Sequence, residues 1–167
     1  MLTSHRAADQ VTNESRNAPG VTAARADRYR RPLEVIGQEK GYAAWQLRDS
    51  VEAVPETRRA VQLHLLTWGV DDEGTDKALL LVTELVANAI EHGATPLYLR
   101  LRRDENHLSI TVIDGGNSSV SDVSPQPAAD DAESGRGLHL VRALADFFSL
   151  SVTRSRSVAV ARLAYAS

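Results

Sequence analysis

Glu84 and Asn88 stand one helical turn apart in a stretch otherwise rich in Leu, Val and Ala, "ELVANAIEHGA". A carboxylate can take a proton, and a carboxamide oxygen suits a hard cation that keeps most of its waters. Neither group is buried cheaply unless something satisfies it. Two glycine turns follow downstream: Asp114-Gly115-Gly116, and Gly135-Arg136-Gly137 at the start of a helix. Glycine at a helix N-terminus lets backbone N–H groups approach phosphate oxygens closely, and the helix dipole favours the negative charge. Each turn alone is a weak signal, since Asp-Gly is a common turn dipeptide.

These residues need elements to position them. A helix is predicted from about Thr75 to His92, closed by Gly93. With Glu84 at zero and about 100° per residue, Lys77 falls at about 20°, Asn88 at about 40° and Glu91 at about 340°, so four polar groups line one stripe. Leu79, Val82, Val86, Ala89 and Ile90 crowd the other side. Leu80, Leu81 and Ala87 flank the stripe closely and Asn is a poor helix former, which argues against a plain solvent face. Lys77 and Glu91, at its edges, are expected in ordinary surface pairs, and His92 as a residue completing the last turn.

Before this helix, "AAWQLRDS" reads as a first strand beginning near Tyr42, and a helix starting at Pro55 places Val61, Leu65 and Trp68 on one face, with Gly69 as its stop. After it, Leu97, Leu99 and Leu101 alternate with polar neighbours, as do Leu108, Ile110 and Val112 beyond the turn "RDENH", predicting an antiparallel hairpin. Residues 115–134 break all periodicity, as a lid or binding loop does. A helix resumes at "GRGLHLVRALADFF", with Leu138, Val141 and Leu144 on one face, and two short strands follow near 147–153 and 158–164. Residues 1–41 read as a polar, flexible N-terminal arm with a basic cluster at Arg28, Arg30 and Arg31. The order implies antiparallel strands with helices gathered on one face.

Composition bounds the function. The 167 residues suffice for one domain and a tail, and 43% hydrophobic with 25% charged residues is ordinary for a soluble protein. Residues 1–41 carry seven Lys/Arg against five Asp/Glu, and residues 42–167 carry twelve against seventeen. That balance offers no broad basic surface for DNA or RNA, so direct nucleic-acid binding is not expected. With no cysteine there is neither a disulfide framework nor a thiolate site. No apolar run reaches spanning length and the N-terminus lacks a secretory core, so a cytoplasmic location without membrane contact is expected.

Taken in order, a Glu-x-x-x-Asn helix, a strand ending in Asp-x-Gly, a loose loop and Gly-x-Gly-Leu opening a helix resemble the ATP-binding fold of gyrase B, Hsp90, the histidine kinases and MutL. Within that ATPase superfamily, "ELVANAIEHG" and "GRGLHLV" look most like the small serine/threonine kinases that act as anti-sigma factors. The resemblance covers roughly residues 43–165. It implies an α+β, two-layer α/β sandwich with a mixed, mostly antiparallel sheet and helices on one face (the Bergerat ATP-binding fold). It further implies ATP and Mg²⁺ as cofactors. Asn88 would coordinate the metal, Asp114 would accept from the adenine amino group, and Gly116 would leave room for the base. Gly135, Arg136, Gly137 and Leu138 would lie at the phosphates. Glu84 would be the general base. The implied partners are a sigma factor and an anti-anti-sigma antagonist of the STAS type, phosphorylated on Ser or Thr, and homodimers are common in the family.

The chain departs from that pattern at three places. Ser118 stands where relatives carry a second glycine, and His139 where they carry a third in the later box. "RSRSVAV" replaces the Gly-Thr pair that usually precedes the final strand and helps to hold the adenine-binding Asp. The lid is acidic, with Asp130, Asp131 and Glu133. These departures support a second reading, a non-catalytic or weakly ATP-binding sequestering module of the same fold. A histidine kinase-type catalytic domain is a third, disfavoured because relatives of that type carry Asn where Glu84 stands and the arm cannot supply their phospho-accepting helix pair. A stand-alone ATP hydrolase would need further domains.

Overall fold

A computed structural model describes residues 33–117 and 136–166. Among the described residues nine elements follow one another: β1 (Leu33–Glu39), β2 (Tyr42–Leu47), α1 (Ala53–Thr67), α2 (Asp72–His92), β3 (Leu97–Arg103), β4 (His107–Asp114), α3 (Arg136–Leu144), β5 (Phe147–Val152) and β6 (Ser157–Ala164). The strands form one six-stranded sheet in the order β1-β2-β3-β4-β6-β5. Every pairing among the described residues is antiparallel, including those where a mixed sheet was allowed for. The arrangement is α+β, one sheet with the three helices of the described residues on one face.

The alternation predicted for the central hairpin is what the sheet uses. Leu97, Leu99 and Leu101 on β3 and Leu108, Ile110 and Val112 on β4 are all buried beneath the helices. Trp45 on β2 pairs opposite Leu99, which in turn pairs opposite Val112, so one row of side chains crosses three strands. From the helical layer, α2 contributes Leu81, Val82, Leu85 and Val86, and α1 contributes Val61 and Leu65, at the spacing that keeps one face inward.

Helix ends explain the boundaries. α1 starts two residues before Pro55, and the ring sits in the first turn, where its missing N–H costs nothing. It stops at Gly69, whose φ of +69° lets Gly69 N–H reach Leu66 and Val70 N–H reach Leu65, closing the last carbonyls. α2 begins three residues earlier than Thr75, because the Asp71 side chain accepts from Gly74 N–H and supplies the N-cap. It ends at His92, with Gly93 N–H bonded back to Ala89.

The expected arm needs correction at its C-terminal end: residues 33–39 form β1, paired with β2. β1 is an edge strand, with Val35 and Ile36 exposed and a register shift between Val35 and Gly37, so it lacks the one-sided burial that alternation detects. The basic cluster Arg28, Arg30 and Arg31 and nearly all of the lid lie outside the described residues. No helix of the described residues is long and apolar enough to cross a membrane.

Candidate functional site

The C-terminal half of α2, the end of β4 and the start of α3 converge at one end of the sheet. Glu84 and Asn88 are both half-buried, and among the described residues neither has a hydrogen-bond or ion-pair partner. The Glu84 carboxylate lies against the first turn of α3. A Cβ added to Gly137 would stand 2.3 Å from Glu84 Oε2, so this approach exists only because residue 137 has no side chain. Leu138 next to it is 7% exposed and packs into the core, anchoring that turn. Arg136 is exposed at the helix start, and Gly135 lies outside the described residues.

Asp114 ends β4 at only 9% exposure. Its Oδ1 accepts from Gly116 N–H at 2.7 Å, which fixes the carboxylate over its own turn. The end of α2 presses on the same side chain. A Cβ on Gly93 would meet Asp114 Cγ at 2.7 Å and Ala89 O at 2.5 Å. Gly115 N–H bonds to Ala94 O at 2.6 Å, tying the turn to the segment that follows α2. Asp114 is thereby bound to the helix that carries Glu84 and Asn88. Gly93 was legible in the sequence only as a helix stop. Its close approach to Asp114 depends on tertiary packing.

Gly116 adopts a φ of +85°. The expectation that it leaves room for a base meets a different neighbour. A Cβ there would strike Arg156 N at 2.3 Å and Thr153 O at 2.6 Å, both in the β5–β6 turn. Asn117 N–H also bonds to Thr153 O, at 3.1 Å. Thr153 closes this turn on itself, its hydroxyl donating to Arg156 O at 2.7 Å and accepting from Arg156 N–H at 3.0 Å. "TRSR" thus packs against the Asp-Gly-Gly turn without glycine.

The register reveals a residue missed by the sequence reading. Ser157 pairs directly opposite Asp114 across the β4–β6 ladder and is 6% exposed. Directly opposed residues in an antiparallel pair share a face, so the hydroxyl stands beside the carboxylate. The available signal was the position: the first residue of the final strand, counted back from the hairpin.

The flanks of the stripe are surface. Lys77 Nζ meets Glu73 Oε1 at 2.6 Å, and their hydrogen bond and charges hold the exposed Glu73 carboxyl below and the Lys77 ammonium above their usual ranges. Glu91 and His92 are exposed and 3.9 Å apart. A separate concavity of about 830 Å³ lies beside the β1–β2 and β3–β4 turns, and its Arg103 is already engaged by the Trp68 carbonyl and the Tyr165 ring.

No group of three His, Asp or Glu side chains converges among the described residues. Asn88, an amide without a partner among the described residues and one turn from Glu84, suits a Mg²⁺ ion that takes most of its ligands from water and phosphate.

A family model described as a histidine kinase-like ATPase domain matches residues 47–163. The chain belongs to this family. Among solved structures, the domain is similar to "the RsbU and RsbW domains of Rv1364c from Mycobacterium tuberculosis", with a TM-score of 0.58 and 17% identity. That match covers 74% of this chain and 32% of the other, so the chain spans about a third of that structure's length, and the likeness is one of fold. No curated protein matches the chain.

Proposed function

We propose that the chain binds ATP with Mg²⁺ and acts as a serine/threonine protein kinase of the anti-sigma type, holding a sigma factor and phosphorylating a small STAS-type antagonist. The observation that carries this reading is the Glu84 carboxylate, half-buried, without a partner among the described residues, and lodged against Gly137 one turn from Asn88. A carboxylate with no ion pair among the described residues, beside a glycine turn, suits receipt of a proton from a hydroxyl that attacks a bound phosphoryl group.

Each residue has its part in that scheme. Asp114, held by Gly116 N–H, would accept from an adenine amino group, with Ser157 beside it. Asn88 would ligate Mg²⁺, which neutralises phosphate charge when bound. The first turn of α3, with Gly137 and the exposed Arg136, would face the phosphates. As the acceptor Ser or Thr oxygen bonds to phosphorus, its proton passes to Glu84 and the bond to the ADP oxygen breaks. The cytoplasm, where sigma factors act, is the location this reading requires.

The turn Thr153–Arg156, packed against Gly116, favours a second reading: a sequestering module of the same fold with weak or absent turnover. One experiment separates the two. With labelled ATP and the antagonist, Glu84→Ala abolishes phosphoryl transfer and leaves ATP binding intact if the chain is a kinase. If the wild-type protein binds ATP but transfers nothing to the antagonist, the kinase reading fails and the module remains.

A further inference from the structure

The helices cover one face of the sheet, and the other carries a charge pattern that the proposed kinase chemistry does not use. On β3, Arg100 and Arg102 point away from the core, alternating with buried Leu99 and Leu101. Across β4, Arg102 pairs opposite Ser109 and Ser109 pairs opposite Arg162 on β6. Arg100 pairs opposite Thr111. Three guanidinium groups therefore surround two small hydroxyl side chains, with Arg102 and Arg162 two strand spacings apart, about 10 Å.

On that face the charge is segregated by strand. Read through the registers, the outward positions of β2 to β6 hold no Asp or Glu, and the acidic residues of this face, Glu34 and Glu39, stand on the edge strand β1 opposite Gln46 and Tyr42. Arg100 and Arg102 are exposed, and among the described residues neither has a carboxylate partner. Arg162 has one at the margin, Asp104 in the β3–β4 turn, at 3.6 Å. Phe147, 54% exposed opposite Arg162, adds an apolar border. A cationic face on a chain of net charge −3 is a local feature, not a consequence of composition.

We propose that this sheet face docks an acidic polypeptide segment, its carboxylates taken by Arg100, Arg102 and Arg162 over the Ser109–Thr111 plateau. Charge complementarity selects the occupant. A second copy of the same face centred on this patch would set arginines against arginines, and one shifted to bring its β1 edge, with Glu34 and Glu39, over the patch is the dimer that the sedimentation arm below detects. A nucleic acid would need a longer basic track than three arginines on a chain of net charge −3. Docking here leaves the cleft at Glu84 open, because the helical layer lies on the opposite face.

The test uses the full chain and a fluorescently labelled oligoglutamate peptide, with a labelled single-stranded oligonucleotide of equal charge alongside. Anisotropy at low salt is expected to show peptide binding that weakens as salt rises. It is expected to fall about tenfold in Arg100→Ala/Arg102→Ala, since each exposed ion pair is a modest term, and to be unchanged in Arg156→Ala, outside the face. Thermal unfolding of the double variant controls for its fold. Peptide binding indifferent to the double substitution would overturn the proposal. So would preference for the oligonucleotide, or a concentration-dependent dimer in sedimentation that Arg102→Glu disrupts.

Discussion

Gly137→Ala separates the stability of this protein from its proposed chemistry. The added methyl would stand 2.3 Å from Glu84 Oε2, whereas ordinary contact begins at 3.4 Å. The obstructing atom is the far end of a flexible side chain, so the carboxylate must retreat by about 1 Å while both helices stay in place, and a shift of that size at a reacting group costs roughly 10²-fold in rate. Gly137 is the second residue of α3, and Ala in a helix is favoured over Gly by up to about 1 kcal/mol. The variant is therefore expected to melt no lower than wild type yet, at saturating ATP–Mg²⁺, to transfer phosphate to the antagonist roughly 100-fold more slowly, about 2.7 kcal/mol in the barrier. The assay is single-turnover transfer from labelled ATP, beside calorimetry for binding and melting. Unchanged transfer would refute the argument that Glu84 acts from where Gly137 admits it.

Three further outcomes are expected. Gly116→Ala lowers the melting temperature, because its φ of +85° and the backbone Arg156 N at 2.3 Å leave nothing flexible to yield; the backbone strain alone costs roughly 1–3 kcal/mol. Ser157→Ala weakens ATP binding by about 3–10-fold, as expected for one lost hydrogen bond, and Ser157→Thr restores it; equal affinities would remove Ser157 from the site. Asp104 tests linkage. Slight burial pushes its carboxyl up, but the backbone N–H groups of His107 and Asn106, together with Arg162 and His107 charges, outweigh this and hold it below the usual range. A depressed folded pKa means its stabilisation is present above the ordinary Asp value and lost as pH falls through the lowered one. Asp104→Asn should therefore melt lower than wild type at neutral pH, and the difference should shrink on acidification.

What could be read in the sequence follows from where burial is one-sided. β3, β4 and the inner face of α2 are buried on one side and polar on the other, so their periodicity survives in the amino-acid order. β1 is exposed along most of its length and was absorbed into the arm. The start of α2 depends on the Asp71 side chain bonding Gly74 N–H, a contact that precedes the apolar pattern. At the site, Glu84, Asn88, Asp114 and Gly137 were legible as types at suggestive spacings. Ser157 and Gly93 were not, because one acts through strand register and the other through the approach of a helix end to Asp114. The place of Gly116 is set by the β5–β6 turn some forty residues further on, which no local pattern encodes.

Titration of the wild-type protein with ATP, with and without Mg²⁺, beside Asn88→Ala and Asp114→Asn, tests most directly whether this end of the sheet is a nucleotide cleft. The expected result is ATP binding strengthened by Mg²⁺, a Mg²⁺ effect lost in Asn88→Ala, and weaker binding with or without metal in Asp114→Asn. No binding at millimolar ATP, or affinities that neither substitution moves, would contradict it.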